Sequence, residues 1–245
     1  LAVHTLIIND DLFDWTDLPE SIAVFGPGVI GLELGQALHR LGVKVLMFGM
    51  CGQIGPFTDP QVMDYAQKTF ADEFYLAADA KVKNIERKGD LVEITYIDKQ
   101  GQEQVAEVEY LLAATGRRPN TDNLGLQNIE IDTDEHGVPT ADIFTMQTSV
   151  PSIFIAGDAS NQIPLLHEAA DQGKIAGSNA ALYPNIRAGL RRSAIAAVFS
   201  DPQLAMVGSR NPTAGGKQTA QDFARHLAAS GLVITSGMAL GIDAA

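Results

Sequence analysis

One short stretch constrains the fold more than any other. Residues 22–33 read I-A-V-F-G-P-G-V-I-G-L-E, an apolar run feeding directly into G-x-G-x-x-G at Gly26, Gly28 and Gly31. Leu32, Leu34, Ala37, Leu38 and Leu41 then recur at helical spacing up to Gly42, and a second apolar run spans 43–48. Strand, glycine turn, helix and strand within about thirty residues predict the first βαβ unit of a Rossmann-type fold. Each glycine has a task there. Gly26 permits the tight turn, Gly28 lets backbone approach a pyrophosphate, and Gly31 lets the helix pack close to the sheet. The N–H groups of the helix start, around Val29 and Ile30, face the phosphates along the helix dipole. A glycine-rich βα turn with no ligand is the plainer reading, and the strand–turn–helix context favours a dinucleotide. An acid for the ribose 2′-OH is expected at the end of the second strand. Met47, Phe48, Gly49, Met50 and Cys51 supply neither acid nor arginine, so the motif leaves NAD and NADP both open.

The 245 residues suffice for a large core or for two domains. Composition is that of a soluble globular chain, with 46% hydrophobic and 19% charged residues. A formal net charge of -13 disfavours nucleic-acid or anionic-membrane binding by the chain as a whole. Cys51 is the one cysteine, which excludes an intrachain disulfide, and it reads as a bystander thiol. No apolar run approaches a membrane span and no leader is visible, so a cytoplasmic location without membrane contact is the expectation. The first residue is Leu1, mid-pattern, and the sequence reads as a piece of a longer chain. The five histidines are scattered without metal-ligand spacing, and no metal site is expected.

Residues 1–20 read as a connector, with an apolar patch at Ile7 and Ile8 and a solvated acidic stretch at Asp10, Asp11, Asp14 and Asp17. Gly49, Gly52, Gly55 and Pro56 form a loop. Thr58, Asp59 and Pro60 read as a helix N-cap with proline in the first turn. That helix is expected to reach about Phe74, burying Val62, Tyr65, Ala66 and Phe70. From Ala80 the period becomes two. Val82 and Ile85 precede a turn at Lys88, Gly89 and Asp90; Val92, Ile94 and Tyr96 alternate with polar residues. A hairpin at Lys99, Gln100 and Gly101 leads to Val105 and Val108, so an antiparallel meander is predicted. Residues 110–115 are continuously apolar and predict a strand buried on both faces. Gly116, Arg117 and Arg118 follow its carboxyl end, where ligands sit in open α/β sheets. The two arginines suit a phosphate or an acidic neighbour, or stand as a solvated pair. Residues 151–158 predict another buried strand, ending at Gly157 and Asp158, with Asp158 placed like a ribose or ribityl ligand. A helix is expected from Leu165 to about Leu182. His167 and Glu168 at its start suit an acid–base pair, and more ordinarily cap or solvate the helix.

Through about residue 208 the ordered motifs resemble the pyridine nucleotide–disulfide oxidoreductases, especially their dihydrolipoamide dehydrogenase branch. The matching stretches are D-L-P at 17–19, G-x-G-x-x-G-x-E at 26–33, A-T-G-R-R-P-N at 114–120, Q-T-S-V-P at 147–151, I-A-G-D at 155–158, L-L-H-E-A-A-D at 165–171 and V-F-S-D-P-Q at 198–203. The resemblance implies a linker at 1–18, an NAD(P) domain at 19–120, the carboxyl-terminal part of an FAD domain at 121–190, and the start of an interface domain at 191–208. It makes Gly26, Gly28, Val29, Ile30, Gly31, Glu33, Gly116 and Arg117 cofactor-binding positions, with Glu33 near the nicotinamide. Gly157 and Asp158 become the second FAD contact. It also implies a lipoamide-bearing partner and a homodimer. The family's C-x-x-x-x-C redox pair has no counterpart here, and neither do its amino-terminal flavin segment or its interface domain with the catalytic His–Glu pair. No catalytic residue is therefore assigned, and the chain alone is expected to bind a dinucleotide without turning over a disulfide.

The tail resembles a different family. A-M-V-G-S-R-N-P-T at 205–213 and S-G-M-A-L-G-I-D at 236–243 resemble the DNA-processing DprA family, whose members bind single-stranded DNA. A helix at about 219–230 lies between them, so 203–245 reads as a truncated second Rossmann-like unit. The resemblance makes Gly208, Ser209, Arg210 and Gly237 phosphate-loop positions. The tail carries Arg210, Lys217 and Arg225 against Asp222 and Asp243, a slightly basic balance that permits nucleic acid. Residues 201–208 fit both families. The expected fold is thus α/β: a Rossmann-type domain with an inserted antiparallel meander, a partial FAD-domain half and the truncated tail unit. Three functions follow: a nicotinamide-dinucleotide-binding oxidoreductase piece, a single-stranded-DNA-binding module, or a non-functional chimera.

Overall fold

Parallel strands carry the first part of the chain, as the alternation of its apolar runs requires. The structure, a computed structural model, describes residues 5–57, 60–191, 196–202, 206–207, 218, 221–222 and 225. Two units divide the chain: Leu1–Gly116 with Ala197–Met206 and Gln218–Ala245, and Arg117–Ala196 with Val207–Lys217. The first contains β1 (Leu6–Ile7), β2 (Ser21–Phe25), α1 (Val29–Arg40), β3 (Lys44–Phe48), α2 (Pro60–Ala71), β4 (Tyr75–Ala77), β5 (Lys81–Lys88), β6 (Leu91–Ile97), β7 (Glu103–Val108) and β8 (Tyr110–Ala113).

The main sheet has the order β1-β8-β2-β3-β4, with every neighbouring pair parallel. Its side chains alternate between two buried faces. Ile22, Val24, Val45, Met47, Leu76 and Leu112 point to α1 and α2, where they meet Leu32, Leu38, Ala66 and Phe70. Ala23, Leu46, Phe48, Ala77 and Leu111 point the other way, onto Val92, Ile94, Tyr96 and Val108 of the meander. The period-two insertion therefore lies on the sheet as its second cover. Ile94 and Phe48 are 0% and 2% exposed, and complete burial of such side chains stabilises by roughly 1.5–3 kcal/mol each. Phe48 also makes an edge contact with Tyr96, ring centroids 5.0 Å apart. Burial pushes the Tyr75 phenol above its ordinary range, and the neighbouring Tyr96 adds to the rise.

Several expectations need correction. The connector contains β1, which pairs with β8 as the sheet edge; Ile7 is buried while Ile8 faces solvent. The acidic stretch does form a solvated turn, a 3-10 helix at Asp11–Asp14. Behind it Trp15 packs against Tyr110, ring centroids 4.9 Å apart. Leu41 is 64% exposed because it lies past the last turn of α1, and Ala37 is exposed too. The polar Gln36 takes an inward position instead, its amide bonding to Glu73 and the Asp201 carbonyl. Tyr65 faces solvent beside the buried Ala66 and Phe70, and α2 ends at Ala71. The N-cap assigned to Thr58 and Asp59 lies outside the described residues. β4 was not anticipated, its three residues being too short to show a period. Ile85 and Val105 sit on the outer face of the meander, largely exposed.

The second unit is mostly loop. It holds a 3-10 turn at Leu126–Asn128, another at Gly157–Ser160, and α3 (Leu166–Leu182). The strand expected at 151–158 does not form. Phe154 makes one isolated bridge to Gln147, and Ile153, Phe154 and Ile155 are only half-buried. A strand needs a ladder on its flank, and among the described residues none lies beside this run. Glu168 is also not solvated: it is 1% exposed, with Oε2 3.4 Å from Nη1 of Arg191.

Candidate functional site: the glycine turn at the strand ends

The carboxyl ends of the parallel strands are bound into one surface by backbone hydrogen bonds. The Gly26 N–H donates to the Phe48 carbonyl, Ala114 N–H to Phe25, and Gly49 N–H to Ala77, each at 2.8 Å. Gly26 lies in the left-handed region at φ 103°, and a Cβ there would come 2.4 Å from the Ala114 carbonyl oxygen. A Cβ on Gly31 would lie 2.0 Å from the Gly26 carbonyl oxygen. Both positions therefore exclude any side chain, and the helix starts pressed against the turn. Gly28 differs. It is the N-cap residue of α1, and a Cβ there would have no atom within 4 Å. Nothing in the protein's own packing demands glycine at that position. The open side of the turn is where a pyrophosphate would approach the first N–H groups of α1.

Val29 and Ile30 form the first turn of α1, both half-buried, and Val29 packs onto the core. Glu33 follows one turn later, and its Oε1 accepts the Phe199 N–H at 2.7 Å. Gly116 is exposed just beyond β8, two residues after the Ala114 carbonyl that borders Gly26. The structure thus gathers Gly26, Gly28, Val29, Ile30, Gly31, Glu33 and Gly116 in the first unit. Arg117, Gly157 and Asp158 belong to the second. There Arg117 Nη1 lies 3.7 Å from Asp158 Oδ2, the acidic-neighbour alternative, with both side chains more than half exposed. Arg118 pairs with Asp122. Gly208, Ser209, Arg210 and Gly237 lie outside the described residues.

Two residues escaped the sequence reading. The fully buried Gln172 of α3 accepts hydrogen bonds from Gly157 N–H at 2.8 Å and Ser160 Oγ at 3.2 Å, fixing the turn that presents Asp158. Asp79, just beyond β4, accepts the Cys51 N–H through Oδ1 at 3.1 Å. An acid eight positions after the end of an α2-type helix gives no local signal; only the pairing of β3 with β4 brings it to the end of β3. Among the described residues no group of three or more His, Cys, Asp or Glu is arranged to hold a metal ion. No helix among them is long and apolar enough to cross a membrane.

A parallel sheet with this glycine turn at its carboxyl edge defines a dinucleotide-binding α/β fold. The model of the pyridine nucleotide-disulphide oxidoreductase family matches residues 3–173, and the chain belongs to that family. Dihydrolipoyl dehydrogenase of Chlamydia trachomatis is 34% identical over 87% of this chain and 44% of its own length. The Geobacillus stearothermophilus dihydrolipoyl dehydrogenase is 35% identical over 78% of this chain and 40% of its own length. The chain thus spans less than half the length of these curated relatives. LpdA of Mycobacterium tuberculosis superposes with TM-score 0.70 at 27% identity, covering 92% of this chain and 50% of that one. A separate family model, DNA recombination-mediator protein A, matches residues 195–245. A dihydrolipoyl dehydrogenase of Vibrio parahaemolyticus, 29% identical, is matched over 96% of this chain, so the two likenesses overlap in the tail. The chain is thus similar to dihydrolipoyl dehydrogenases over most of its length and to DNA recombination-mediator protein A over residues 195–245.

Proposed function

We propose that this chain provides the nicotinamide-dinucleotide site of a dihydrolipoyl dehydrogenase-like flavoenzyme. The open Cβ position at Gly28, between two glycines that packing alone explains, carries this reading. Gly26, Gly28, Val29, Ile30 and Gly31 hold the pyrophosphate, and Glu33 and Gly116 border the bound dinucleotide. Arg117, Gly157 and Asp158 are the flavin-side positions. Asp158 is exposed enough to meet a ligand hydroxyl, and Gln172 holds its turn in place. The flavin itself, when bound, passes electrons between a dithiol and the nicotinamide. Cys51 is the sole cysteine, so the chain has no dithiol of its own, and we assign it dinucleotide binding rather than disulfide turnover. A lipoamide-bearing partner, a homodimer and a cytoplasmic setting belong to the complete enzyme.

Titration of the chain with NADH and NADPH, followed by nucleotide fluorescence, tests this reading. Saturable binding that Gly28→Val abolishes, in protein whose circular dichroism is unchanged, supports it. A folded chain that binds neither nucleotide overturns it.

The match at 195–245 motivates a second reading, in which the tail binds single-stranded DNA through Gly208, Ser209, Arg210 and Gly237. Affinity for an oligonucleotide that falls steeply with salt and is lost in Arg210→Ala would favour it.

A further inference from the structure

The end of β3 is where a dinucleotide-binding fold ordinarily carries its ribose acid, and here Gly49 stands there. The structure shows why no acid could. A Cβ on Gly49 would lie 2.7 Å from the Ala78 carbonyl oxygen and 2.7 Å from Pro27 Cγ. Pro27 is itself buried inside the glycine turn. Neither neighbour can withdraw easily. The Pro27 carbonyl accepts Gly55 N–H at 2.6 Å, and the Ala78 carbonyl accepts Gly52 N–H at 3.1 Å. Gly49 is pinned as well, donating to Ala77 and accepting from Ala80 N–H at 2.9 Å. The position is closed to every side chain.

The same bonds bring another carboxylate to that edge. β4 runs parallel to β3, with Phe48 paired to Ala77, and adjacent strands lie about 4.8 Å apart. Asp79 follows β4 by two residues, exposed, and is oriented by its bond to Cys51 N–H. A carboxylate has two oxygens and about four acceptor sites, so one backbone N–H leaves capacity for a vicinal diol.

We propose that Asp79 supplies the carboxylate that receives the adenosine-ribose hydroxyls, so that this site selects NAD(H) over NADP(H). The assignment rests on the dinucleotide reading of the glycine turn. The acid has moved one strand along the sheet because Pro27 and Ala78 fill the usual position. A 2′-phosphate placed there would face the carboxylate as a like charge.

The test uses the chain with NADH, NADPH and the NADH analogue lacking the adenosine 2′-hydroxyl. Wild type is expected to bind NADH about tenfold or more tighter than either of the other two, the range of a hydrogen bond to a charged group. Asp79→Asn keeps an oxygen for the Cys51 N–H and so preserves the turn. It should weaken NADH about tenfold, erase the penalty for removing the 2′-hydroxyl, and leave NADPH unchanged or improved. A merely structural role for Asp79 would weaken all three ligands alike, and that result overturns the assignment. So does saturable NADH binding that Asp79→Asn leaves unaltered, or a wild type that prefers NADPH. A folded wild type that takes none of the three overturns the dinucleotide reading and this assignment with it.

Discussion

The Phe199 N–H donates to Oε1 of Glu33 at 2.7 Å, joining residues 166 positions apart. Two more contacts follow along α1. Gln36 Oε1 accepts Asp201 N–H at 2.8 Å, and Arg40 Nη1 meets Asp201 Oδ2 at 2.8 Å. Val198, 1% exposed, is buried in the same core. One face of α1 thus holds residues 198–201 by side chains spaced three and four apart, neighbours on a helix surface. Gln36→Ala should release this segment, because a buried amide making three hydrogen bonds is lost. The expected cost is about 1–3 kcal/mol, read as faster hydrogen exchange at the Phe199 and Asp201 amides. Unchanged protection at both would contradict it.

The three glycines of the turn should separate into two behaviours. Gly31→Ala drives a methyl into the Gly26 carbonyl and should destabilise the fold by about 1–3 kcal/mol, with a lower thermal midpoint in the absence of nucleotide. Gly28→Ala meets open space and should cost well under about 1 kcal/mol of stability, yet weaken NADH binding. Equal melting losses in the two variants would argue against this division.

Glu73 accepts hydrogen bonds from Arg40 and from Gln36, and the Arg40 bond holds its carboxyl below the ordinary value of 4.5. Since the folded-state value is depressed, the stabilisation is present above that ordinary value and is lost as pH falls through the depressed one. Wild type should therefore lose thermal stability more steeply than Glu73→Gln between about pH 5 and about pH 3. Asp134 and Asp142 are lowered too, by the Val138 N–H and by the Thr145 hydroxyl respectively. Both variants should keep that shared part of the slope. Parallel midpoint curves would refute a role for Glu73.

Buried Glu168 makes a 3.4 Å ion pair with Arg191 but no hydrogen bond through Oε2. Removing one partner of such a pair strands a charge, whereas removing both does not. Arg191→Met should destabilise the chain by about 3–5 kcal/mol, and the double variant Glu168→Met/Arg191→Met should recover most of the loss. Urea unfolding of the three proteins decides it; a double variant weaker than Arg191→Met would sink the argument.

The glycine turn, α1, β3 and the meander were legible in the sequence because each rests on local periodicity. Helical spacing ran from Leu32 to Leu38, and period two ran through Val92, Ile94 and Tyr96. What escaped depended on long-range pairing. β1 exists only because Leu6 and Ile7 find β8, and β4 only because β3 offers an open edge. The run at 151–158 shows the converse: strongly apolar local sequence stays half-buried loop where no strand flanks it. In the candidate site Gly26, Gly28 and Gly31 announced themselves by spacing. Asp79 did not, because its importance comes from β3 and β4 lying side by side. Gln172 did not either, since its amide acts on a turn fifteen residues earlier in the chain.

Trp15 is the sole tryptophan of the chain, and it rests on Tyr110 at the start of β8. All indole emission therefore originates at one point, beside the strand that carries the sheet edge β1 on one side and the glycine-turn strand β2 on the other. A red shift of that emission would therefore report exposure of this edge to solvent. Because reduced nicotinamide absorbs where indole emits, the same ring is also a single energy donor, so quenching on titration measures occupancy of the site without a label.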